Sequence, residues 1–311
     1  MTMRVAVVMD PIAGIKPAKD STFAMLLSAQ ARGHECWLCT LDGLSLRDGQ
    51  AWGRLQPVQV WDNSERFFAL GEALARPLRD FDCVLMRKDP PVDMDFLHAC
   101  QILEHAGTWV VNDPASIRLA NEKLFPLQFS RWLPPYLVSR DMAELRGFLL
   151  QHGEIVVKPL AARGGEGIFY LHTEDRNLGS ILETITVRGT HFVMAQRYLP
   201  AIRQGDKRIL LVDGVAVPGA MLRVPAADDF RGNLVAGAQA VAAELSPAEQ
   251  ELCAEIGPVL RERGLLFVGI DVIGERLTEI NVTSPTGARE IRRFFDIDAT
   301  DLLWARIEQG R

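Results

Sequence analysis

Asp271, Glu279 and Asn281 lie in FVGIDVIGERLTEINVTSPTG, a segment that starts at Phe267 and reads as a β-hairpin. Asp271 ends an apolar run and Gly274 permits a turn. Glu279 and Asn281, two residues apart on the returning strand, share a face. A hairpin brings these oxygen donors together. Two carboxylates and an amide suit magnesium beside substrate phosphates better than zinc. An ordinary polar hairpin is the competing reading, although carboxylates set among apolar strand residues need a compensating partner.

A second candidate follows the β-branched run Ile155-Val156-Val157, which leads into Lys158-Pro159 and then Arg163-Gly164-Gly165-Glu166-Gly167. A lysine leaving a strand beside a glycine-containing loop can meet phosphate while backbone amides approach the same oxygens. The lysine precedes the glycines, so this is neither the GxxxxGK[ST] phosphate loop nor a dinucleotide fingerprint. A glycine-rich hairpin turn is the plainer alternative. Lys123, Arg208 and Arg223 add cations that can neutralise phosphates, a substrate carboxylate, or charge developing on a reacting carbonyl. Taken singly, each also reads as a surface ion pair. The six histidines form no ligand-spaced set, no GxSxG elbow occurs, and Cys36-Trp-Leu-Cys39 has redox spacing without a second ligand pair.

These groups need a scaffold. At 311 residues and 48% apolar content, the chain is expected to form two domains or one elaborated α/β domain. A net charge of -6 with no basic tail argues against general attraction to nucleic acid. The apolar run at 5–9 is too short for a signal-peptide core or a membrane span, and reads as the first strand. Five cysteines among mostly apolar neighbours suggest reduced, buried thiols and a cytoplasmic setting.

The pattern then predicts a helix over 21–31, strands over 34–41 and 81–86, short strands over 43–60, a helix over 63–74, and helix, strand and helix over 93–105, 108–112 and 114–120. Helices are expected at 141–152, 178–187, 247–263 and from about 300. Strands are expected at 154–158, 168–171, 191–196, 208–212, 215–222, 267–273 and 276–279, with 225–244 a polar loop. The loop 10–21 sits at the carboxyl end of the first strand, where open parallel sheets place ligands.

Together, VVMDPIAGIKPAKDSTFAMLLSAQARG, LMRKDPP, VNDPASIRLANEKLF, VVKPLAARGGEGIF, MAQRYLPAIRQGDKRILLVDG, RGNLVAG and GIDVIGERLTEINVTSPTGAREI run through nearly the whole chain. In them the chain resembles the bacterial glutathione synthetases, a family of ATP-grasp carboxylate-amine ligases. The resemblance implies an α/β fold in which an N-terminal open parallel-sheet domain (1–122) precedes a two-lobed ATP-grasp fold. Its first lobe is 123–200, and its second, with the magnesium site, is 201–311. It implies ATP-dependent joining of γ-L-glutamyl-L-cysteine and glycine, with ATP and Mg2+ (or Mn2+) as cofactors. Small peptide and amino-acid substrates are the expected partners, with neither nucleic acid nor membrane, and a homo-oligomer, a tetramer among the options, is the expected assembly. The alternatives are a related ligase acting on another amino-acid or peptide carboxylate, and a binding protein with little turnover.

By the same resemblance, Lys123 and Lys158 are the phosphate lysines, and Gln196, Tyr198 and Leu199 meet the adenine, with Asp206 near the ribose. Asp271, Glu279 and Asn281 hold the metal. Arg208 and Arg223 stand near the transferred phosphate and the reacting carboxylate. Asn281, Ser284, Pro285, Thr286 and Gly287 line the catalytic end, and Arg289 pairs a substrate carboxylate. Lys19, Asp20, Ser21, Arg87, Lys88 and Asp89 are peptide-contact candidates. Two loops depart from the family pattern. Ala161-Ala162-Arg163 stands where Asp-Gly-Met is common, so Arg163, with Gly164 and Gly165, is expected to reach phosphate instead. Ala238-Gln239-Ala240 stands where Gly-Arg-Gly is common, which bears on rate or on the choice of peptide.

Overall fold

The computed structural model describes residues 2–63, 65–161, 164–226, 231–232 and 237–310. Three sheets follow one another along the chain. The first is assembled from β1 (Arg4–Val8), α1 (Ser21–Ala31), β2 (Glu35–Cys39), β3 (Leu44–Arg47), β4 (Gln50–Val60), β5 (Phe68–Leu70), β6 (Leu74–Pro77), β7 (Cys83–Met86), α2 (Met94–Leu103), β8 (Trp109–Val111) and α3 (Pro114–Leu119). Strands β2, β1, β7 and β8 run parallel, and β4 extends this sheet antiparallel, carrying β3, β5 and β6. Residues 5–8 of β1 are buried, as expected of a central parallel strand with both faces covered. Helix starts are set by local chemistry. Asp20, Asp93 and Asp113 each accept a backbone N–H from the first turn of α1, α2 and α3.

A four-stranded antiparallel sheet, ordered β11-β10-β12-β9, comprises β9 (Tyr136–Ser139), α4 (Met142–His152), β10 (Glu154–Pro159), β11 (Phe169–His172), α5 (Leu178–Ile185) and β12 (Val193–Arg197). The third sheet, ordered β16-β15-β13-β17-β18 with β14 on β13, is also antiparallel. It contains β13 (Asp206–Val212), β14 (Val215–Ala216), β15 (Ala220–Val224), β16 (Gln239–Ala243), α6 (Pro247–Glu262), β17 (Phe267–Ile273) and β18 (Arg276–Asn281), followed by α7 (Ala288–Phe295) and α8 (Ala299–Glu308).

Four expectations give way. The segment 63–74 is not helical, because its second half pairs as β5 and β6 along the eleven-residue β4, and sheet pairing overrides the helix propensity of Ala-Leu-Gly-Glu-Ala-Leu. The half of the sheet beyond β2 is accordingly antiparallel. Part of the expected loop 225–244 is β16, paired with β15. The strand expected over 215–222 is interrupted at Gly219, where φ is +90° and a Cβ would lie 2.6 Å from the Phe295 ring. Strand β9 and helix α7 arise where no element was expected.

The third sheet is bolted to the first domain. Asn112 Nδ2 donates to the carbonyls of Phe267 at 2.8 Å and Val282 at 2.7 Å, while its Oδ1 accepts from Phe267 N at 2.9 Å. The terminal helix α8 returns to α1, with the Trp304 indole donating to the Met25 carbonyl at 2.9 Å. Among the described residues no helix is long and apolar enough to cross a membrane.

Candidate active site

The third sheet carries a row of charge on one face. Asp206 on β13 opposes Arg223 on β15, Arg208 on β13 opposes Asp271 on β17, and Asp271 opposes Glu279 on β18. Since residues two apart in a strand point the same way, Asp206 joins Arg208, and Glu279 joins Asn281. Arg208 forks onto Asp271, with Nε 2.5 Å from Oδ1 and Nη2 2.9 Å from Oδ2. Arg223 Nη2 lies 2.5 Å from Asp206 Oδ2 and 3.0 Å from Asp271 Oδ1. Asn281 Nδ2 donates to Asp271 Oδ2 at 3.2 Å.

The middle sheet faces this row. Lys158 on β10 and Gln196 on β12 share a face, because Val156 opposes Gln196 and Lys158 opposes Met194. Lys158 Nζ reaches Glu279 Oε1 at 3.6 Å, and Lys123 Nζ approaches the same oxygen at 3.7 Å. Tyr198 and Leu199 line the connection between the lobes. Tyr198 is held by its N–H on the Glu154 carbonyl at 3.0 Å and by a ring contact with Tyr170 at 4.7 Å. Gly164 and Gly165, at φ +61° and +84°, also line the space between the sheets, a cavity of about 490 Å³.

The charge states follow from this packing. Burial raises the Asp271 carboxyl, yet the Arg208 and Arg223 guanidiniums outweigh it and hold the group well below the usual carboxylate range. Burial likewise opposes ionisation of Glu279, and the ammonium groups of Lys123 and Lys158 draw it below its ordinary value. Asp206 moves the other way, pushed up to about 7 by burial with Asp271 adding repulsion, against the pull of Arg223. Its Oδ1 is buried without a hydrogen bond among the described residues. Burial lowers the Lys158 ammonium.

Sequence reasoning did not single out Glu122. It lines the same cavity and accepts from Thr283 Oγ1 at 3.2 Å, and burial, with repulsion from Glu279, pushes its carboxyl up to about 7. Its place directly before Lys123 was the available signal. Arg231, from the RGNLVAG run, was also not singled out; it donates to the Gly165 carbonyl at 3.3 Å and so touches the glycine loop.

Asp89, Ser284, Pro285 and Thr286 complete the far end of the cavity, with the Ser284 hydroxyl donating to Asp89 Oδ1 and Arg208 Nη1 donating to the Thr286 carbonyl at 3.2 Å. Other expected contact residues stand away from the lining. Lys19 is exposed. Asp20 caps α1, accepting from Phe23 N at 2.6 Å. Ser21 Oγ accepts from Ala288 N at 3.2 Å. Lys88 Nζ is held by Asp10 Oδ1 at 3.0 Å and by the Asp89 carbonyl at 2.7 Å. Gly287, at φ +120°, precedes α7, and Arg289 forks onto Asp62 at 2.6 and 3.2 Å. Arg87 is buried behind the cavity. Arg163 lies outside the described residues.

The donor set at Asp271, Glu279 and Asn281 offers oxygens on adjoining strands, with both carboxylates ionised, and this fits a hard divalent cation that completes its shell with water and phosphate. Lys123, Lys158, Arg208 and Arg223 gather beside Asp206, Asp271 and Glu279, and these four cations can offset the charge of a polyphosphate.

Two family models match the chain: "Prokaryotic glutathione synthetase, N-terminal domain" over residues 3–118, and "Prokaryotic glutathione synthetase, ATP-grasp domain" over residues 122–296. The glutathione synthetase of Rhodopseudomonas palustris is 49% identical over 313 residues, covering 100% of both chains. That of Shewanella oneidensis is 47% identical over 309 residues, covering 98% of each. Among solved structures, D-cycloserine synthetase DcsG superposes with a TM-score of 0.71 at 16% identity, covering 99% of this chain and 100% of that one. The ATP-grasp ligase PsnB, complexed with a minimal precursor, Mg and ADP, gives 0.61 at 20% identity, covering 99% and 97%. At these identities the last two speak to the fold alone.

Proposed function

The chain belongs to the prokaryotic glutathione synthetase family, and on that premise we propose that the cleft joins γ-L-glutamyl-L-cysteine to glycine, giving glutathione, ADP and phosphate. The protein is an ATP-dependent carboxylate-amine ligase. The observation that carries the assignment of residues is the single row Asp206, Arg223, Arg208, Asp271, Glu279, facing Lys123 and Lys158 across one cavity. Residues 1–122, 123–200 and 201–311 serve as substrate domain, first lobe and second lobe, a division supported by the three separate sheets.

A carboxylate is a poor electrophile. Its oxygen therefore attacks the terminal phosphorus of ATP, ADP departs, and an acyl phosphate forms. Lys123, Lys158, Arg208 and Arg223 offset the charge on the transferring phosphoryl group, in a site where burial strengthens each interaction. Asp271, Glu279 and Asn281 would hold Mg2+, which would neutralise phosphate oxygens as a Lewis acid. Gln196, Tyr198, Leu199 and Asp206 orient the nucleoside. The amine of glycine then attacks the acyl carbon, phosphate leaves, and a proton is released as the amide forms. Neither step calls for an enzyme nucleophile, and all five cysteines are unpaired and buried. That thiol state also supports a cytoplasmic setting, and we assign a homo-oligomeric assembly on the family likeness.

The test offers purified protein γ-glutamylcysteine and other dipeptides with glycine, alanine, serine, cysteine or β-alanine, and measures product masses and ADP. Glutathione with stoichiometric ADP is expected. ADP without that tripeptide overturns the substrate assignment.

A further inference from the structure

Arg87 directly follows β7, and its side chain is 5% exposed. No carboxylate lies within ion-pair distance among the described residues. Its guanidinium instead spends its donors on neutral groups. Nε donates to Thr22 Oγ1 at 3.1 Å, Nη1 to the Thr283 carbonyl at 3.4 Å and Nη2 to the Pro285 carbonyl at 3.3 Å. Its carbon centre lies 5.5 Å from the Phe267 ring centroid, on β17. Burying a cation in this way is costly, and Lys or Met would fill much of the volume without the fork.

The two carbonyls that Arg87 grips flank Ser284, and Ser284 donates to Asp89, two residues beyond Arg87. The next residue along, Thr286, accepts from Arg208, which forks onto Asp271. A continuous set of hydrogen bonds therefore runs from the substrate domain, through the turn 283–286, to the charged row of the second lobe.

We infer that Arg87 is a positioning residue and not a substrate contact: with Asp89 it clasps the turn 283–286, fixing Ser284 and the Arg208–Asp271 pair relative to the substrate domain, so that the acid-binding and phosphate-binding ends of the cleft stay in register. The inference rests on the ligase reading above. It places Arg87 on the transfer step rather than on nucleotide binding, because the turn adjoins the far end of the cavity while the nucleoside candidates Gln196, Tyr198 and Leu199 lie on the middle sheet and its connection. Small displacements of reacting groups lower rates steeply.

The test compares wild type with Arg87→Met, Arg87→Lys and Arg87→Ala, each checked for folding by circular dichroism. It measures kcat for tripeptide formation, KM for γ-glutamylcysteine, and ATP Kd by calorimetry. The expected result is a fall in kcat of tenfold or more for Arg87→Met, a smaller fall for Arg87→Lys, changes in KM and ATP Kd of under threefold, and partial recovery of Arg87→Ala by guanidinium chloride relative to sodium chloride at equal ionic strength. A loss confined to KM for γ-glutamylcysteine makes Arg87 a substrate contact and overturns the inference. So does a folded Arg87→Met or Arg87→Lys with unchanged kcat, or a loss that guanidinium leaves untouched. Wild-type tripeptide formation in the same assay keeps such a failure separate from failure of the ligase reading.

Discussion

Glu122 holds a carboxyl that is easier to protonate in the folded chain than in the unfolded one. Burial and Glu279 raise its pKa from 4.5 to about 7, so between those values the native state takes up a proton that the unfolded state does not. Stability therefore falls as pH rises through that window, and the penalty is complete above about 7. Glu122→Gln removes it. In metal- and nucleotide-free protein, urea unfolding of this variant is expected to show a gain on the order of 2 kcal/mol over wild type at pH 8 that shrinks towards zero near pH 4.5. An equal difference at both pH values would deny burial as the cause. A second contrast separates chemistry from packing. Lys158→Ala is expected to slow phosphoryl transfer at least tenfold in rapid-quench assays, whereas Cys36→Ser and Cys39→Ser leave that rate within about twofold. Both thiols are buried and pushed up to about 12 by that burial, and both lie on β2 of the first sheet, whereas the charged row lies on the third. A greater loss of rate in the cysteine variants would reverse these roles. That Asp271, Glu279 and Lys158 come together was legible in the sequence because charge interrupting an apolar strand needs a partner, and Asn281 followed from sharing a strand face with Glu279. Glu122 was not, since its shift comes first from burial and then from Glu279, and both are set by the fold and not by neighbours in the sequence.

At the scale of elements, the hairpin β17–β18 was readable because Gly274 marks the turn and Glu279 and Asn281 share a face by period two, whereas the pairing of Asp271 with Glu279 was not, because it depends on a register shift between Asp271 and Val272 that takes up Thr278. The strands β5, β6 and β16 were not readable. Each is a short edge strand whose conformation is decided by a neighbour, β4 or β15, and not by its own residues. The same dependence on neighbours gives a stability prediction remote from the cleft. Gly257 in α6 meets the turn after β13, where an added Cβ would lie 2.0 Å from the Gly214 carbonyl oxygen. Gly257→Ala must separate α6 from that turn, and a loss of about 1–3 kcal/mol is expected in chemical denaturation. An unchanged midpoint would show that the helix yields freely.

Across the whole molecule, contacts between distant segments tie the first and third sheets and their helices together. Arg32 Nη2 pairs Glu308 at 2.7 Å and the same guanidinium pairs Asp301, Asn112 bridges to Phe267 and Val282, and Arg87 grips the turn 283–286. None of these long-range pairs is visible in local patterning, whereas the order of α/β and ATP-grasp segments is. The burial of all five cysteines makes a further prediction: a thiol-specific disulfide reagent is expected to titrate none of them within minutes in native protein and all of them in urea. Rapid reaction of one thiol in native buffer would contradict that packing.

The claim on which the account turns is that the row from Asp206 to Glu279, with the two lysines opposite, transfers phosphate to a carboxylate. Positional labelling tests it most directly. γ-Glutamylcysteine carrying 18O in both oxygens of its reacting carboxylate is incubated with ATP, Mg2+, glycine and protein, and the masses of phosphate and tripeptide are read. Wild type is expected to place one 18O in each phosphate and leave one in the new amide, and a folded Asp271→Ala/Glu279→Ala variant is expected to lose both products. Unlabelled phosphate released alongside the tripeptide, or full labelled turnover in the double variant, would contradict the account.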